Sequence, residues 1–216
     1  MTTLILVRHG QSTGNLMGVY CGQIDFPLSD LGFAQAEQTG KYIKENYSID
    51  TVYASDLKRA IQTAEPTARA FGLETIPDAD LREICVGEWQ GQNADLIFRT
   101  RAEEMLRWRT DSSYAPKGGE SFGELRIRIN RFLDRVLEAN RDQTVAVFAH
   151  AGTIGTILAR CIPNREERLA LVKNGEFENA SVTVLRFCGR DYVDYLLVGY
   201  EGHLMELSSH TDGTVV

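Results

Sequence analysis

Long hydrophobic runs are missing from this sequence of 216 residues: no stretch approaches the about 20 apolar residues that cross a membrane. The apolar run at the amino terminus is short, and charge follows it instead of preceding it, which is not the pattern of a signal peptide. We therefore expect a cytoplasmic protein that has no membrane partner.

Cysteine is scarce as well, with four residues in the whole chain. They form no C-x-x-C pair and have no histidine at the spacing of a zinc site, which argues against a disulfide framework and against a zinc motif. The sequence instead predicts free thiols, mostly in the core, in a reducing compartment. The four cysteines are Cys21, Cys85, Cys161 and Cys188.

Basic residues are outnumbered by acidic ones. Lys and Arg total 23 and Asp and Glu total 30, which gives a formal net charge of -7. A surface of this sign repels nucleic acid, so we expect no nucleic-acid partner, and an anionic substrate needs a local basic pocket. The apolar share of 43% and the charged share of 25% are those of an ordinary globular protein, and we expect one domain over residues 1–216.

Helix and strand patterns alternate along the chain. Residues 3–7 form a continuous run of mostly branched apolar residues, which is typical of a strand buried on both faces of a parallel sheet. Ser29 can cap a helix that runs to about Tyr47, and Ser121 and Glu124 make a capping box for another. Further strands are predicted over 51–54, 74–76 and 144–149, further helices from Asp56 to Pro66 and from Gly152, and a hairpin over 180–187 and 192–200.

This order of elements predicts an α/β fold, a three-layer sandwich with a mainly parallel central sheet and a small helical cap. The cap is the charge-rich helical excursion over 92–121, which we expect to lie over the sheet edge as a lid. The polar tail over 208–216 is expected to fray. The hairpin near Tyr192 offers an edge for a homodimer, although the pattern does not require one.

A histidine follows each of two buried strands: His9 ends the first, and His150 ends the strand over 144–149. If both strands are parallel and central, both imidazoles emerge at the edge where open α/β sheets bind ligands. A neutral imidazole is a competent nucleophile toward phosphorus when its other ring nitrogen donates to a fixed acceptor. The pair of histidines therefore points to phosphoryl transfer.

Phosphoryl transfer also needs cations and an acid. Arg8 adjoins His9, and Arg59 opens the helix after the second strand, and a guanidinium fork suits two phosphate oxygens at once. The leaving alkoxide needs a proton, which a carboxylic acid can supply. Glu83 and Glu88, in the segment LREICVGEWQG, are the candidates, and the residues alone do not decide between them.

Several segments, in order along nearly the whole chain, resemble the histidine phosphatase superfamily, and more narrowly its phosphoglycerate-mutase-like branch. They are LVRHGQST (6–13), GQIDFPLSDLGFAQA (22–36), YASDLKRAIQTA (53–64), LREICVGEWQG (81–91), FAHAGTIG (148–155), and the shorter GGES (118–121) and ENAS (178–181). The R-H-G triplet alone is a weak signal, but five longer motifs in the same order are a strong one.

The resemblance implies a phosphohistidine at His9 and a proton donor at Glu83, which precedes Gly87 by four positions as the acid does in the family pattern. It implies the phosphoglycerate-mutase-like α/β sandwich with a helical cap, which agrees with the fold expected above. It implies no metal and no cofactor, since arginines and histidines take the place of a metal. It also implies contacts with the phosphoryl group or the substrate for Arg8, Arg59, His150, Asn15, Gly22 and Gln23.

Phosphatases and mutases of this family share the first step and differ in what attacks the phosphohistidine, water or a hydroxyl of the retained intermediate. The glycolytic mutases carry a longer insertion in the middle of the chain, so the sequence favours hydrolysis of a small phosphorylated metabolite, with mutase-type transfer as the alternative. A binding module without activity is the second alternative, disfavoured because the implied catalytic residues are all present. Gln90 stands where many relatives have glutamate, and the arginines over 99–109 match no subfamily clearly.

Overall fold

The computed structural model of the protein describes residues 1–164, 166, 167, 171, 177–189 and 192–208. Strands and helices alternate in it along the chain. The strands are β1 (Thr2–Arg8), β2 (Thr51–Ala54), β3 (Thr75–Pro77), β4 (Thr144–Ala149), β5 (Val182–Cys188) and β6 (Tyr192–Tyr200). The helices are α1 (Thr13–Leu16), α2 (Asp30–Asn46), α3 (Lys58–Phe71), α4 (Ala94–Thr100), α5 (Ala102–Thr110), α6 (Phe122–Ala139), α7 (Ala151–Cys161) and α8 (Met205–Ser208).

The six strands form one sheet in the order β3-β2-β4-β1-β5-β6. β1 pairs in parallel with β4, and β2 pairs in parallel with both β3 and β4. β5 is antiparallel to β1 and to β6, so within the described sheet it runs against the other five strands. The prediction of a mainly parallel sheet is confirmed. β6 lies at an edge of this sheet, and the homodimer expected there remains a prediction.

Apolar side chains alternate between the two faces of the sheet and build two cores. Leu4 and Leu6 of β1 belong to the larger core, which they share with residues of α6 and α7. Ile5 and Val7 belong to the smaller core, which they share with residues of α2 and α3. Helices therefore cover both faces of the central strands, and the predicted three-layer sandwich is confirmed.

The long helix α6 begins at the predicted capping box. The Ser121 hydroxyl accepts a hydrogen bond from the Glu124 N–H at 3.2 Å, and the Glu124 carboxylate accepts one from the Ser121 N–H at 2.8 Å. One face of the helix is buried at Leu125, Ile129, Phe132, Leu133, Val136 and Leu137. This stripe follows the 3.6-residue period of the sequence and holds α6 against the sheet.

Pro66 does not disturb its helix, contrary to the prediction. α3 continues through Pro66 to Phe71 and ends at Gly72, whose φ of 67° suits glycine. An interior proline costs a helix about 3 kcal/mol, because it removes a hydrogen bond and crowds the preceding turn. Pro66 packs so closely on Gly40 of α2 that a β-carbon there would lie 2.9 Å from Pro66 Cβ. This buried helix contact offsets the cost, and the sequence pattern did not reveal it.

The four cysteines are free thiols, as predicted, but the prediction that most lie in the core was wrong, since each is partly exposed. Cys161 and Cys188 are the last residues of α7 and β5, and the other two lie in loops. Burial nevertheless raises the pKa of Cys161 to about 11, so that thiol stays protonated at neutral pH.

Two expectations near the carboxyl terminus are only partly covered by the structure. β5 begins at Val182 and not at Ala180, because Ala180 has a φ of 60°, which is incompatible with an extended strand. Of the hairpin turn expected at 189–191, residues 190 and 191 lie outside the described residues, as does most of the tail expected to fray. Within the described chain, none of the helices combines the length and the apolar character needed to cross a membrane.

Candidate active site

A buried histidine follows each of the neighbouring parallel strands β1 and β4. His9 and His150 are 5% and 0% exposed, and their ring centroids lie 5.1 Å apart. In the register of the two strands, Arg8 is paired with Ala149. The next residue after each of them, His9 and His150, therefore lies at the same edge of the sheet. The two imidazoles thus meet at the carboxyl edge of the sheet, as the sequence predicts.

The orientation of His9 is fixed by its own backbone neighbour. The carbonyl oxygen of Gly10 lies 2.7 Å from His9 Nδ1. Because a carbonyl can only accept, Nδ1 carries the proton, and Nε2 keeps its electron pair. Burial, followed by the charges of Arg59 and Arg8, lowers the pKa of His9 well below its usual 6.5. His9 is therefore uncharged at neutral pH, which is the state that a nucleophile requires.

His150 has a different environment. Neither of its ring nitrogens has a hydrogen-bond partner among the described residues, although the side chain is fully buried. Burial, followed by the charges of Arg59 and His9, lowers the pKa of His150 well below 6.5. Buried polar groups without a partner are costly and uncommon, and they concentrate at functional sites. A dianion next to His150 would favour its charged form and could accept a hydrogen bond from it.

Arg59, near the start of α3, supplies a fully buried positive charge. Its two Nη atoms donate to the carbonyl oxygens of Gly22 and Ile24, each at 2.8 Å. Among the described residues no carboxylate forms a salt bridge with it, and its Nε has no hydrogen-bond partner. Burial lowers the pKa of Arg59 from its usual value. Since an isolated buried cation is unfavourable, the arrangement suits an anionic ligand.

Arg8 reaches the site from the end of β1. Its Nη1 donates to the carbonyl oxygen of Phe177, a residue that precedes β5. Its charge is close enough to both histidines to lower their pKa values. Two guanidinium groups, from Arg8 and Arg59, therefore act on the same pair of imidazoles, which is the local basic pocket that the acidic chain needs for an anionic substrate.

Gly22 and Gln23 lie in the loop that Arg59 holds. Gly22 has a φ of 48°, and a β-carbon at this position would lie 2.4 Å from Gln90 Oε1. The Gln23 N–H donates to the same Gln90 oxygen at 2.7 Å, and Gln23 Nε2 donates to the Glu83 carbonyl at 3.0 Å. The loop expected to contact the substrate is thus attached directly to the segment that carries the expected acid.

Asn15 is engaged through its oxygen. Asn15 Oδ1 accepts hydrogen bonds from the Ser12 N–H at 2.9 Å and from the Ser12 hydroxyl at 2.8 Å, which completes the cap of α1. The cap uses the oxygen end of the side chain, so the amide nitrogen is the end that can donate to a phosphoryl oxygen.

The structure separates the two candidate acids. Glu83 Oε2 accepts a hydrogen bond from the Gly152 N–H at 3.2 Å, two residues beyond His150, and Oε1 accepts one from the Ile84 N–H at 2.8 Å. Glu88 instead lies on the surface and pairs with Arg101 of the predicted lid at 3.4 Å. Geometry therefore favours Glu83, which the resemblance also indicates.

Residues 4–195 match the model of the histidine phosphatase superfamily, branch 1. The chain belongs to this family. Phosphoglycerate mutase-like protein 4 of Arabidopsis thaliana is 32% identical over 207 residues, which cover 94% of this chain and 87% of the relative. Phosphoserine phosphatase 1 of Hydrogenobacter thermophilus is 34% identical over 151 residues, which cover 69% of this chain and 71% of the relative.

Solved structures support the same family membership. The complex of mycobacterial glucosyl-3-phosphoglycerate phosphatase Rv2419c with VO3 aligns with a TM-score of 0.80 at 27% identity, over 92% of this chain and 99% of that one. Three mycobacterial relatives at 30% identity are longer, and this chain spans 55% of their length. Since its relatives are named as phosphatases and mutases, this histidine phosphatase is an enzyme of phosphoryl transfer, with phosphatase as the first interpretation and mutase as the runner-up.

Two residues that touch the site of this histidine phosphatase were missed by the sequence prediction. Asn179 Nδ2 donates to the His9 carbonyl oxygen at 3.0 Å, and Gln90 accepts the Gln23 N–H. Asn179 lies in the ENAS motif, and Gln90 drew attention only as a departure from glutamate. Among the described residues, no three or more His, Cys, Asp or Glu side chains are grouped so as to hold a metal ion.

The segment 92–121 of the histidine phosphatase, whose role as a lid remains a prediction, contains α4 and α5. Arg101 pairs with Glu104 at 2.8 Å, and the Arg107 guanidinium lies 4.4 Å above the Tyr114 ring. Arg101 and Arg107 are both exposed, and their two interactions are typical of a solvated helix face. Arg99 and Arg109 are exposed and have no polar partner among the described residues.

Proposed function

We propose that this histidine phosphatase hydrolyses a small phosphomonoester through a phosphohistidine on His9. The observation that carries the proposal is the buried, uncharged imidazole of His9, held by Gly10 and lying beside His150 and Arg59. An uncharged nucleophile surrounded by cationic and hydrogen-bonding groups suits attack on an anionic phosphoryl group.

In the first step, His9 Nε2 attacks phosphorus, and the bond between phosphorus and the ester oxygen breaks. Glu83 gives its proton to the leaving oxygen, so that an alcohol departs and not an alkoxide. Arg8, Arg59, Asn15 and His150 bind the phosphoryl oxygens, on which charge is spread in the transition state.

In the second step, water attacks the phosphohistidine. The Glu83 carboxylate takes a proton from the water, the bond between phosphorus and Nε2 breaks, and inorganic phosphate leaves. His9 is again uncharged and Glu83 again protonated, so the cycle closes without an added metal or cofactor. Gly22 and Gln23 are the proposed contacts of the substrate, because their loop joins Arg59 to the Glu83 segment.

Hydrolysis is favoured over mutase-type transfer by the short middle of the chain, where α4 and α5 together span residues 94–110. A mutase must retain a bisphosphate and exclude water, which requires a second set of anion contacts. The name of phosphoglycerate mutase-like protein 4 keeps mutase-type transfer as the second candidate. Sugar phosphates, phosphoglycerate, phosphoserine and nucleotide-loop phosphates are the proposed substrate classes, in line with the names of the phosphatase relatives.

A panel of phosphorylated metabolites, assayed without metal and again with a chelator, tests this proposal. We expect inorganic phosphate release from at least one ester at a rate that the chelator does not change. The conversion of 3-phosphoglycerate to 2-phosphoglycerate should be slower than its hydrolysis. Faster conversion than hydrolysis would establish the mutase, and binding of phosphate mimics without turnover of any ester would establish a binding module.

Gly152 provides a test of Glu83 that leaves the Glu83 side chain intact. A β-carbon at position 152 would lie 2.4 Å from Glu83 Oε1, so the Gly152→Ala variant must displace this carboxylate. Misplacing a catalytic group by about 1 Å can lower the reaction rate by about 100-fold. We therefore expect kcat/KM for an alkyl phosphate to fall by about 10- to 100-fold. Thermal stability should hold or rise, because alanine favours α7 more than glycine does.

The Gly155→Ala variant is the matched control, because it lies one turn further along α7. The nearest atom to a β-carbon there is Phe177 Cε2 at 4.0 Å, which is an ordinary contact. We expect normal hydrolysis from this variant. Full activity of the Gly152→Ala variant would mean that the Glu83 carboxylate does not have to occupy its present position.

A further inference from the structure

Arg128 of α6 forms an ion pair in a protected position. Its Nε and Nη2 donate to the two carboxylate oxygens of Glu120 at 2.7 and 2.9 Å. The two side chains are 13% and 14% exposed, far less than those of the neighbouring Arg131 and Arg135, which are 63% and 47% exposed. Such shielded pairing is costly to assemble unless further hydrogen bonds satisfy both groups.

The rest of the Arg128 guanidinium holds the backbone just before and at the proposed acid. Nη1 donates to the carbonyl oxygens of Asp80 at 2.6 Å and Arg82 at 2.7 Å, and Nη2 donates to that of Glu83 at 3.1 Å. One planar fork therefore joins three carbonyls of the segment 80–83 to the Glu120 carboxylate.

Two further side chains hold the same segment from other directions. The hydroxyl of Thr153, on α7, has two carbonyl oxygens as hydrogen-bond acceptors. The Arg82 oxygen lies at 2.9 Å and the Leu81 oxygen at 3.3 Å. Gln23 Nε2 donates to the Glu83 carbonyl at 3.0 Å. The Glu83 peptide is thus fixed by α6, by α7 and by the loop that Arg59 holds, while its carboxylate reaches the Gly152 N–H.

We propose that Arg128 is a positioning residue, which sets the backbone of Glu83 so that its carboxyl group is aligned for proton transfer. The inference rests on the proposed function, because it assumes that Glu83 is the acid. A general acid contributes only when its proton lies within hydrogen-bond reach of the leaving oxygen, and small misplacements lose much of the effect. Arg128 itself touches no substrate in this scheme.

The Arg128→Lys variant tests the proposal, because lysine keeps the charge but its single ammonium cannot span three carbonyls and a carboxylate. The readout is kcat/KM on two esters, an alkyl phosphate and 2,4-dinitrophenyl phosphate. The alkyl ester needs a proton on its leaving oxygen, and the dinitrophenyl ester does not. We expect a loss of about tenfold or more on the alkyl ester and about threefold or less on the dinitrophenyl ester.

The kcat/KM values on the alkyl and dinitrophenyl esters are compared as a ratio within one sample of enzyme. This ratio does not depend on the fraction of the variant that is folded, so general destabilisation leaves it unchanged. Arg131→Lys is the matched control, because Arg131 lies on the same helix and binds the Asp80 carboxylate at the surface. We expect the ratio of kcat/KM values of this variant to equal that of the wild type. Equal losses on both esters in Arg128→Lys would overturn the proposal.

A Glu83→Gln variant separates failure of this inference from failure of the proposed function. If Glu83→Gln loses alkyl ester hydrolysis selectively and Arg128→Lys does not, Glu83 is the acid and Arg128 does not position it. If Glu83→Gln shows no selectivity, the acid has been wrongly assigned. Should Arg128→Lys prove insoluble, Thr153→Val decides: a selective loss on the alkyl ester supports positioning of the segment 80–83, and an unchanged ratio contradicts it.

Discussion

Replacement of His9 by alanine is expected to lower kcat on the best substrate of the panel by about 10⁵-fold or more, the scale seen when a catalytic nucleophile is removed. The physical reason is that no other group takes over the bond to phosphorus. His150 has its ring at 5.1 Å, but no carbonyl or carboxylate among the described residues fixes its tautomer. Release of inorganic phosphate, followed over hours, measures the loss.

His203→Phe is the matched control for the His9 variant. His203 Nε2 lies 3.0 Å from the Thr39 hydroxyl, and its ring stacks on Tyr42 at 5.0 Å, so it packs on α2. We expect this variant to hydrolyse the same ester within a few-fold of the wild type, apart from lower thermal stability. If His9→Ala retained full hydrolysis, the nucleophile would have to be sought elsewhere.

Replacement of Arg59 by methionine should have the second largest effect, a fall in kcat/KM of about 10²- to 10³-fold, as for the loss of one preorganised electrostatic contact in a buried site. Methionine removes the buried charge and also releases the carbonyls of Gly22 and Ile24, which loosens the loop that Arg59 holds. Both changes act on the bound phosphoryl group, so binding of inorganic phosphate should weaken together with catalysis.

Thermal unfolding with and without inorganic phosphate measures the binding part of this prediction. Phosphate at about 100 times its Kd should stabilise the wild type by about 2.7 kcal/mol, and the Arg59→Met variant should show little of this gain. Arg69→Met is the control, because Arg69 is exposed and pairs with Glu37 at the surface. Equal phosphate stabilisation of wild type and Arg59→Met would show that Arg59 does not bind the anion.

The parts of the fold that could be predicted are those that depend on residues close together in the sequence. The apolar run of β1, the capping box at Ser121 and Glu124, and the 3.6-residue stripe of α6 each depend on residues within a few positions of one another. The meeting of His9 and His150 also followed, because parallel strands present their carboxyl ends at one edge.

The parts that could not be predicted depend on contacts between distant segments. Pro66 stays within its helix because it packs on Gly40, 26 positions earlier in the chain. Arg128 binds backbone carbonyls 45 to 48 positions away, and a carbonyl has no residue-type signal in a sequence. The choice between Glu83 and Glu88 likewise needed either the family resemblance or the contact with Gly152.

The central claim is that His9 carries the phosphoryl group during turnover. It is tested most directly by rapid quenching of the enzyme while it turns over a substrate labelled in its phosphoryl group. Phosphohistidine survives alkali and is lost in acid, so the quench is made in alkali and the labelled peptide is then identified. We predict at most one labelled phosphoryl group per chain, on the peptide that contains His9, which is discharged as inorganic phosphate. Turnover without any labelled enzyme, or label on a peptide without His9, would contradict the account.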